Sequence, residues 1–196
     1  MFIQIMQGKC TKQDEMRSMA DRWRTDLAPG AEGWLGGTYG FTDDDMFVAV
    51  IRFETKELAM ANSARPEQAV YAEQMMALMD GPVEFHDCND VTLMLDGGSD
   101  DAGFVQVIRG RVGDPEKLRS MMRETDMLHE MRPEILGATL AIEDDGTFTE
   151  TVSFTDEATA RAGESKEMPA EIREGLDSAM QDVTFMDLHH PWFTRR

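Results

Sequence analysis

The chain has 196 residues, 41% of them hydrophobic, enough for a packed core in one domain or in two small ones. Its formal net charge of −19, from 38 Asp plus Glu against 19 Lys plus Arg, excludes the cationic grip on phosphates that nucleic-acid binding needs and argues against anionic membrane surfaces. No apolar run approaches the ~20 residues of a membrane helix, the N-terminus opens on a strand-like pattern instead of a leader, and Cys10 and Cys88 read as reduced thiols, so a cytoplasmic protein is expected.

Phe2 to Gly8 is a short apolar and β-branched run, read as a strand. Thr11 then offers an N-cap with Asp14 three positions on, and Met16, Met19, Trp23 and Leu27 follow at helical spacing. Ala28 to Gly33 is a breaker run. Trp34 to Phe41 and Met46 to Phe53 form a hairpin about the Asp43-Asp44-Asp45 turn. A helix starts near Thr55, breaks at Asn62 to Pro66, and resumes from Glu67 to Met79. Gly81-Pro82 ends it, and Val83 to Leu95 is read as one last strand.

The same order then repeats. Phe2-Ile-Gln-Ile-Met-Gln-Gly8 returns as Phe104-Val-Gln-Val-Ile-Arg-Gly110, Leu35-Gly-Gly-Thr38 as Leu136-Gly-Ala-Thr139, and Val83-Glu-Phe-His-Asp87 as Val183-Thr-Phe-Met-Asp187. In the second copy Asp114 is the cap, Pro115 suits the first helical position, and Leu118, Met121, Met122 and Leu128 supply the stripe. Each copy therefore reads βαββαβ, the ferredoxin-like motif, with a four-stranded antiparallel sheet. The expected domains are residues 1–96 and 104–196, joined by a Gly- and Asp-rich linker at 97–103. The strands are apolar on both faces: Ile3 and Ile5 alternate with Phe2 and Met6. Helices should cover one face, and the sister sheet is the simplest cover for the other. The fold class expected is α+β, two ferredoxin-like repeats packed as an intramolecular dimeric α/β barrel, with further homodimerisation left open.

The segment Phe53 to Gln68 with its Asn62-Ser-Ala-Arg-Pro-Glu-Gln68, the segment Arg132-Pro-Glu-Ile-Leu-Gly137, and Asp187 to Trp192 resemble the dimeric α/β-barrel superfamily. That group includes the antibiotic-biosynthesis-monooxygenase-like domains, and the chain is most similar to its two-domain actinobacterial members. The resemblance spans nearly the whole chain. It implies a small-molecule pocket between sheet and helices in one or both copies. The haem-degrading branch would need an Asn, a Trp and a His that fall here on Gln4, Met60 and Val70 or Tyr71, and in the second copy on Gln106, Arg161 and the Ile172 region. Neither second helix carries a His, so haem chemistry of that kind is not expected. No cofactor and no metal site are expected either.

Gln4 and Gln106 share strand faces with apolar neighbours, and a buried amide must find partners. They read either as pocket amides or as a structural network. Glu150 is sharper because it is asymmetric: it shares a face with Phe148, Val152 and Phe154, and its counterpart is Ala49. A carboxylate there tends to have a raised pKa and can act as a base, or it reaches solvent or an Arg. Arg52, opposite Ser153 in the alignment of copies, reads as an anion binder or the partner of a carboxylate. Arg65 lies on the helix connector, where it could meet a carboxylate ligand or only serve a turn. His86 has Met186 as counterpart and reads as a catalytic candidate or a sheet residue. His129, His189 and His190 are scattered and form no chelate. Trp34, Tyr39 and Tyr71 lack aromatic counterparts and line a pocket of the first copy or fill its core. Met75, Met76 and Met79 suit adaptable packing about an apolar ligand, or plain core filling.

The function expected is a cofactor-independent monooxygenase or isomerase acting on a small apolar metabolite. Its catalytic candidates are Glu150 and His86, and its binding candidates Gln4, Gln106, Trp34, Arg52, Arg65 and Tyr71. The alternative is a non-catalytic binder or sensor of a small metabolite.

Overall fold

A computed structural model describes residues 1–123, 130–167 and 169–195. Leu128 and His129 lie outside the described residues. The chain divides into two compact units: residues 1–89 with 192–196, and residues 90–191. Unit 1 holds β1 (Phe2–Lys9), α1 (Gln13–Asp26), β2 (Trp34–Phe41), β3 (Met46–Phe53), α2 (Lys56–Ser63), α3 (Pro66–Met76) and β4 (Val83–Cys88). Unit 2 holds β5 (Asp90–Met94), β6 (Phe104–Val112), α4 (Pro115–Arg123), β7 (Ile135–Ile142), β8 (Thr147–Phe154), α5 (Glu157–Glu164), α6 (Ala170–Ala179) and β9 (Met180–Leu188). The last strand, β10 (Trp192–Arg195), belongs to unit 1.

Both repeats are βαββαβ, as expected, but each sheet has five antiparallel strands instead of four. The orders are β10-β2-β3-β1-β4 and β5-β7-β8-β6-β9. The segment Val83 to Leu95 is therefore two strands, not one. The chain leaves sheet 1 after Cys88, and Asp90–Met94 pairs with β7 of sheet 2. The chain's last strand does the reverse and pairs with β2 of sheet 1. The compact units are consequently not the expected 1–96 and 104–196, because each repeat lends the other's sheet its outer strand. Local pattern cannot register such an exchange, since a β-branched run looks the same in either sheet.

The exchange explains a recurrent motif. Both Leu-Gly-x-Thr segments open β2 or β7, and both carry a register shift, at Trp34/Gly36 and at Ile135/Gly137. A Cβ on Gly36 would lie 2.7 Å from the Thr194 carbonyl oxygen, and one on Gly137 would overlap the Gly97 carbonyl. Glycine recurs where another backbone passes too close for a side chain.

Helix ends follow the local chemistry in most places. Asp114 accepts from the Lys117 N–H at 3.0 Å, Thr55 from Leu58 N–H at 3.3 Å, and Asp156 from Thr159 N–H at 2.9 Å. Thr11 is the exception. Its N–H and hydroxyl both donate to Asp80 Oδ2, at 2.6 and 2.8 Å, so it ties α1 to the turn before β4 and does not cap. Met16, Met19 and Trp23 of α1 and Leu118 and Met122 of α4 are buried against their sheets. The helix-facing layer of unit 2 also contains Phe104, Leu140, Phe148, Val152, Phe154, Ala160 and Ala179. In unit 1 two clusters do this work, one about Phe2, Trp23, Trp34 and Phe53 and one about Met6, Met16, Tyr39 and Phe47. Ile3, Ile5, Val48 and Val50 on the opposite face of sheet 1 are also buried, as are Val105 and Val107 of sheet 2. Cys10 and Cys88 are buried free thiols. Among the described residues no helix is long and apolar enough to cross a membrane.

Candidate active site

Side chains directly opposite one another across antiparallel strands share a face. One such row crosses the helix-facing side of sheet 2: Thr92, Leu140, Glu150, Ile108 and Phe185. Glu150 stands at its centre, two residues from Phe148 and Val152 of the apolar core. It is half-buried, with protein atoms packed around its carboxyl. It makes no hydrogen bond or ion pair among the described residues. Burial alone pushes its pKa from 4.5 up to about 7. The group is thus divided between acid and carboxylate near neutral pH, the condition for a general base.

Gln106 faces the same layer. Its direct cross-strand partner is Val152, so Glu150 is its diagonal neighbour, about 7–8 Å away backbone to backbone. The Gln106 amide donates from Nε2 to Asp187 Oδ1 at 2.9 Å and to Glu164 Oε1 at 3.4 Å. Arg161 holds Asp187 by an ion pair, meets Glu164 at 3.1 Å and lies 5.1 Å from the Phe104 ring centre. Glu157 continues the chain of charges to His189 Nδ1 at 2.7 Å. That contact holds the Glu157 carboxyl below the usual range.

In unit 1 the matched pair recurs. Gln4 Nε2 donates to Asp87 Oδ1 at 2.8 Å, and Lys56 Nζ lies 3.8 Å from Asp87 Oδ2. Both Gln–Asp pairs are direct register partners within one sheet. The recurrence of glutamine and of aspartate in both repeats is one recurrence, of a cross-strand hydrogen bond. Trp34 is buried with its ring edge-on to Trp23 at 4.9 Å, and its N–H has no partner among the described residues. The Tyr71 hydroxyl donates to the Met19 carbonyl at 3.2 Å, and burial keeps it protonated.

The remaining candidates lie elsewhere. His86 is opposite Ile5, on the face of sheet 1 turned away from the helices, with Nε2 at 3.6 Å from Glu84 Oε2. Arg52 is on that same outer face and donates to Thr38 Oγ1 at 3.2 Å. The Arg65 guanidinium is engaged by the Leu27 carbonyl at 3.1 Å, Asn62 Oδ1 at 2.9 Å and Glu67 Oε1 at 2.8 Å. It clamps the α2–α3 break to the loop after α1, which leaves little of it for a ligand.

Sequence reasoning named Arg161 and Trp192 only as positions within the resemblance and foresaw neither the Arg161–Asp187 ion pair nor the entry of Trp192 into sheet 1 through the exchanged strand. The mutual fit of Tyr39 and Gly37 was also hidden. A Cβ on Gly37 would overlap the Tyr39 hydroxyl, whereas the second copy has Ala138 and the shorter Leu140 at those places. The paired differences Gly37/Ala138 and Tyr39/Leu140 were the available signal.

No family model and no curated protein matches the chain. Solved structures do. A candidate monooxygenase from Lactobacillus acidophilus NCFM superposes with a TM-score of 0.72 at 15% identity, over 95% of this chain and 92% of that one. An anthrone oxidase-like protein gives a TM-score of 0.73 at 8% identity, over 99% of this chain and 92% of the other. A ferredoxin-fold protein related to antibiotic biosynthesis monooxygenases, from Listeria monocytogenes 4b F2365, gives 0.51 at 10% identity, over 96% and 94%. The chain shares the fold of these structures across nearly its whole length.

Proposed function

We propose that the chain is a cofactor-independent monooxygenase of a small apolar substrate, with its site in the helix-facing layer of unit 2. The observation that carries this is Glu150: a carboxyl in an apolar enclosure, unpaired among the described residues, poised near neutral pH. The likeness to an anthrone oxidase-like protein suggests the substrate type, a ring methylene made acidic by a neighbouring aromatic ketone.

The chemistry balances without a cofactor. Ionised Glu150 removes a proton from the methylene, and the resulting enolate gives its electrons to dioxygen, forming a carbon–oxygen bond and a peroxide anion. That anion takes the proton back from Glu150. Loss of the second C–H proton to Glu150 then expels hydroxide as the O–O bond breaks, and hydroxide leaves as water with the Glu150 proton. The methylene becomes a ketone, one dioxygen is consumed and one water is released. Gln106 contributes orientation: its N–H groups are taken by Asp187 and Glu164, so its carbonyl oxygen is the end left to receive a substrate hydroxyl.

Oxygen uptake with an anthrone tests this, against the uncatalysed rate at the same pH. Uptake should rise with pH through a midpoint near 7 and fall about 10²-fold or more in Glu150→Gln, the scale of a lost general base. Unchanged uptake in Glu150→Gln would overturn the assignment. Solvent deuterium exchange into the methylene without oxygen uptake would instead mark an isomerase using the same base.

A further inference from the structure

We infer, resting on the reading of Glu150 as the base of unit 2, that Arg161 and Glu164 are specificity-determining residues of that site: they fix the Gln106 amide as a hydrogen-bond acceptor and so select substrates that carry a hydroxyl group. Gln106 reaches two carboxylates with one nitrogen. Its Nε2 donates to Asp187 Oδ1 of β9 at 2.9 Å and to Glu164 Oε1 of α5 at 3.4 Å. An ionised carboxylate can only accept, so the amide must turn its NH2 end toward this pair. Turned the other way, its carbonyl oxygen would stand against two anions. The carbonyl oxygen is therefore the opposite end, and it accepts no hydrogen bond among the described residues.

Arg161 assembles the two carboxylates. Its guanidinium makes an ion pair with Asp187, lies 3.1 Å from Glu164 Oε2 three residues on, and lies 3.3 Å from Glu157 Oε1 four residues back. A planar fork of donors holds several carboxylates in fixed directions, which the point charge of a lysine does not. It also neutralises the repulsion that Asp187 and Glu164 would otherwise feel beside one amide. The Phe104 ring, 5.1 Å from the guanidinium carbon, steadies the fork from below.

Unit 1 supplies the control. Gln4 keeps its bond to Asp87 at 2.8 Å, with Lys56 at 3.8 Å from that carboxylate. The counterpart of Arg161 there is the exposed Met60, and that of Glu164 is Ser63, whose hydroxyl donates to the Ala59 carbonyl at 3.1 Å. Gln4 thus has one carboxylate where Gln106 has two. The sheet needs only the cross-strand Gln–Asp bond, as unit 1 shows. The second carboxylate and the arginine are added in the repeat that has Glu150 and are missing from the repeat that has Ala49. A fixed acceptor recognises a donor, such as a phenolic hydroxyl. A ligand that brings only an acceptor to the same place loses water on both sides and gains no bond. An amide with one N–H released can turn and serve either ligand.

The test reads binding and the amide itself, apart from turnover. 2-Naphthol and 2-methoxynaphthalene share a ring system, and only the first has a donor. In equilibrium dialysis the full-length wild-type chain should prefer 2-naphthol on the order of 10-fold, and Glu164→Ser should bring the two affinities to within about 2-fold. Arg161→Lys should lose the preference in the same way while holding Asp187 as Lys56 holds Asp87. If Arg161→Lys does not fold, Glu164→Ser decides alone. By NMR both side-chain amide protons of Gln106 should exchange slowly in the wild-type chain, and one of them faster in Glu164→Ser. Equal affinities in the wild-type chain, no binding of either naphthalene, an unchanged preference in Glu164→Ser, or amide protons that exchange alike in both chains would overturn the inference. Protected amide protons and a preference for 2-naphthol without oxygen uptake from an anthrone would sink the proposed reaction and keep the selectivity.

Discussion

Replacing Glu150 by Gln should leave stability nearly unchanged in mild acid and raise it at alkaline pH. The magnitude follows from the carboxyl's environment. In the unfolded chain it titrates at an ordinary 4.5, in the folded chain at about 7. Below 4.5 both states hold the proton and the group contributes nothing. Between 4.5 and 7 the folded chain keeps a proton that the unfolded chain has lost, so stability falls as pH rises, by up to about 1.4 kcal/mol per pH unit. Above 7 both states are ionised and the folded state carries the whole desolvation penalty, about 3 kcal/mol. Gln has nearly the same shape and no charge, so the variant escapes that penalty. All other carboxylates are common to both proteins and cancel in the difference. Urea denaturation followed by tryptophan fluorescence at pH 5 and pH 8 measures it. The variant's advantage should grow by about 2–3 kcal/mol between the two. An advantage that stays constant within about 0.5 kcal/mol would mean that Glu150 is ionised or paired throughout, and the general-base argument would fail with it.

Two further outcomes are expected from the fold. Gly137→Ala should cost more than about 2 kcal/mol in thermal or chemical unfolding, since its Cβ would overlap the Gly97 backbone, whereas Gly146→Ala, with open space around it but φ +83°, should cost about 1 kcal/mol. Equal losses would show that Gly97 does not pass there. Gln106→Leu should destabilise by about 1–3 kcal/mol because it leaves the half-buried Asp187 carboxylate short of a donor, and pairing it with Asp187→Leu should recover part of the loss in a double-mutant cycle. Strict additivity would argue against the cross-strand pair.

Much of the scaffold was legible before any coordinates. The repeat announced two βαββαβ units, and Asp114 with Pro115, Thr55, and the Asn62–Pro66 break marked helix ends within a residue or two. These signals are local: a cap, a proline or an alternating strand acts on backbone within a few residues of itself. The mismatch of Ala49 with Glu150 was also visible, because comparing copies needs only the alignment. Partners were not visible. Gln4 and Asp87 stand far apart in the chain, and only antiparallel register sets them face to face at 2.8 Å. Arg65 looked available to a ligand because its clamp on the Leu27 carbonyl exists only once the α1 loop folds back. His86 looked equivalent to Glu150 until strand parity placed it on the outer face of the other sheet.

The sequence by itself determined that the chain runs through the same βαββαβ order twice, because periodicity and turn chemistry act over short distances. It also marked Glu150 as a carboxylate on a core-facing strand position without a counterpart in the first copy. Tertiary structure alone decided that β5 and β10 change sheets, that Trp192 enters sheet 1 beside Tyr39, and that Glu150 remains unpaired among the described residues. Those outcomes depend on which strand edge a segment meets and on which charges come within reach, and both are settled by packing between residues distant in the chain.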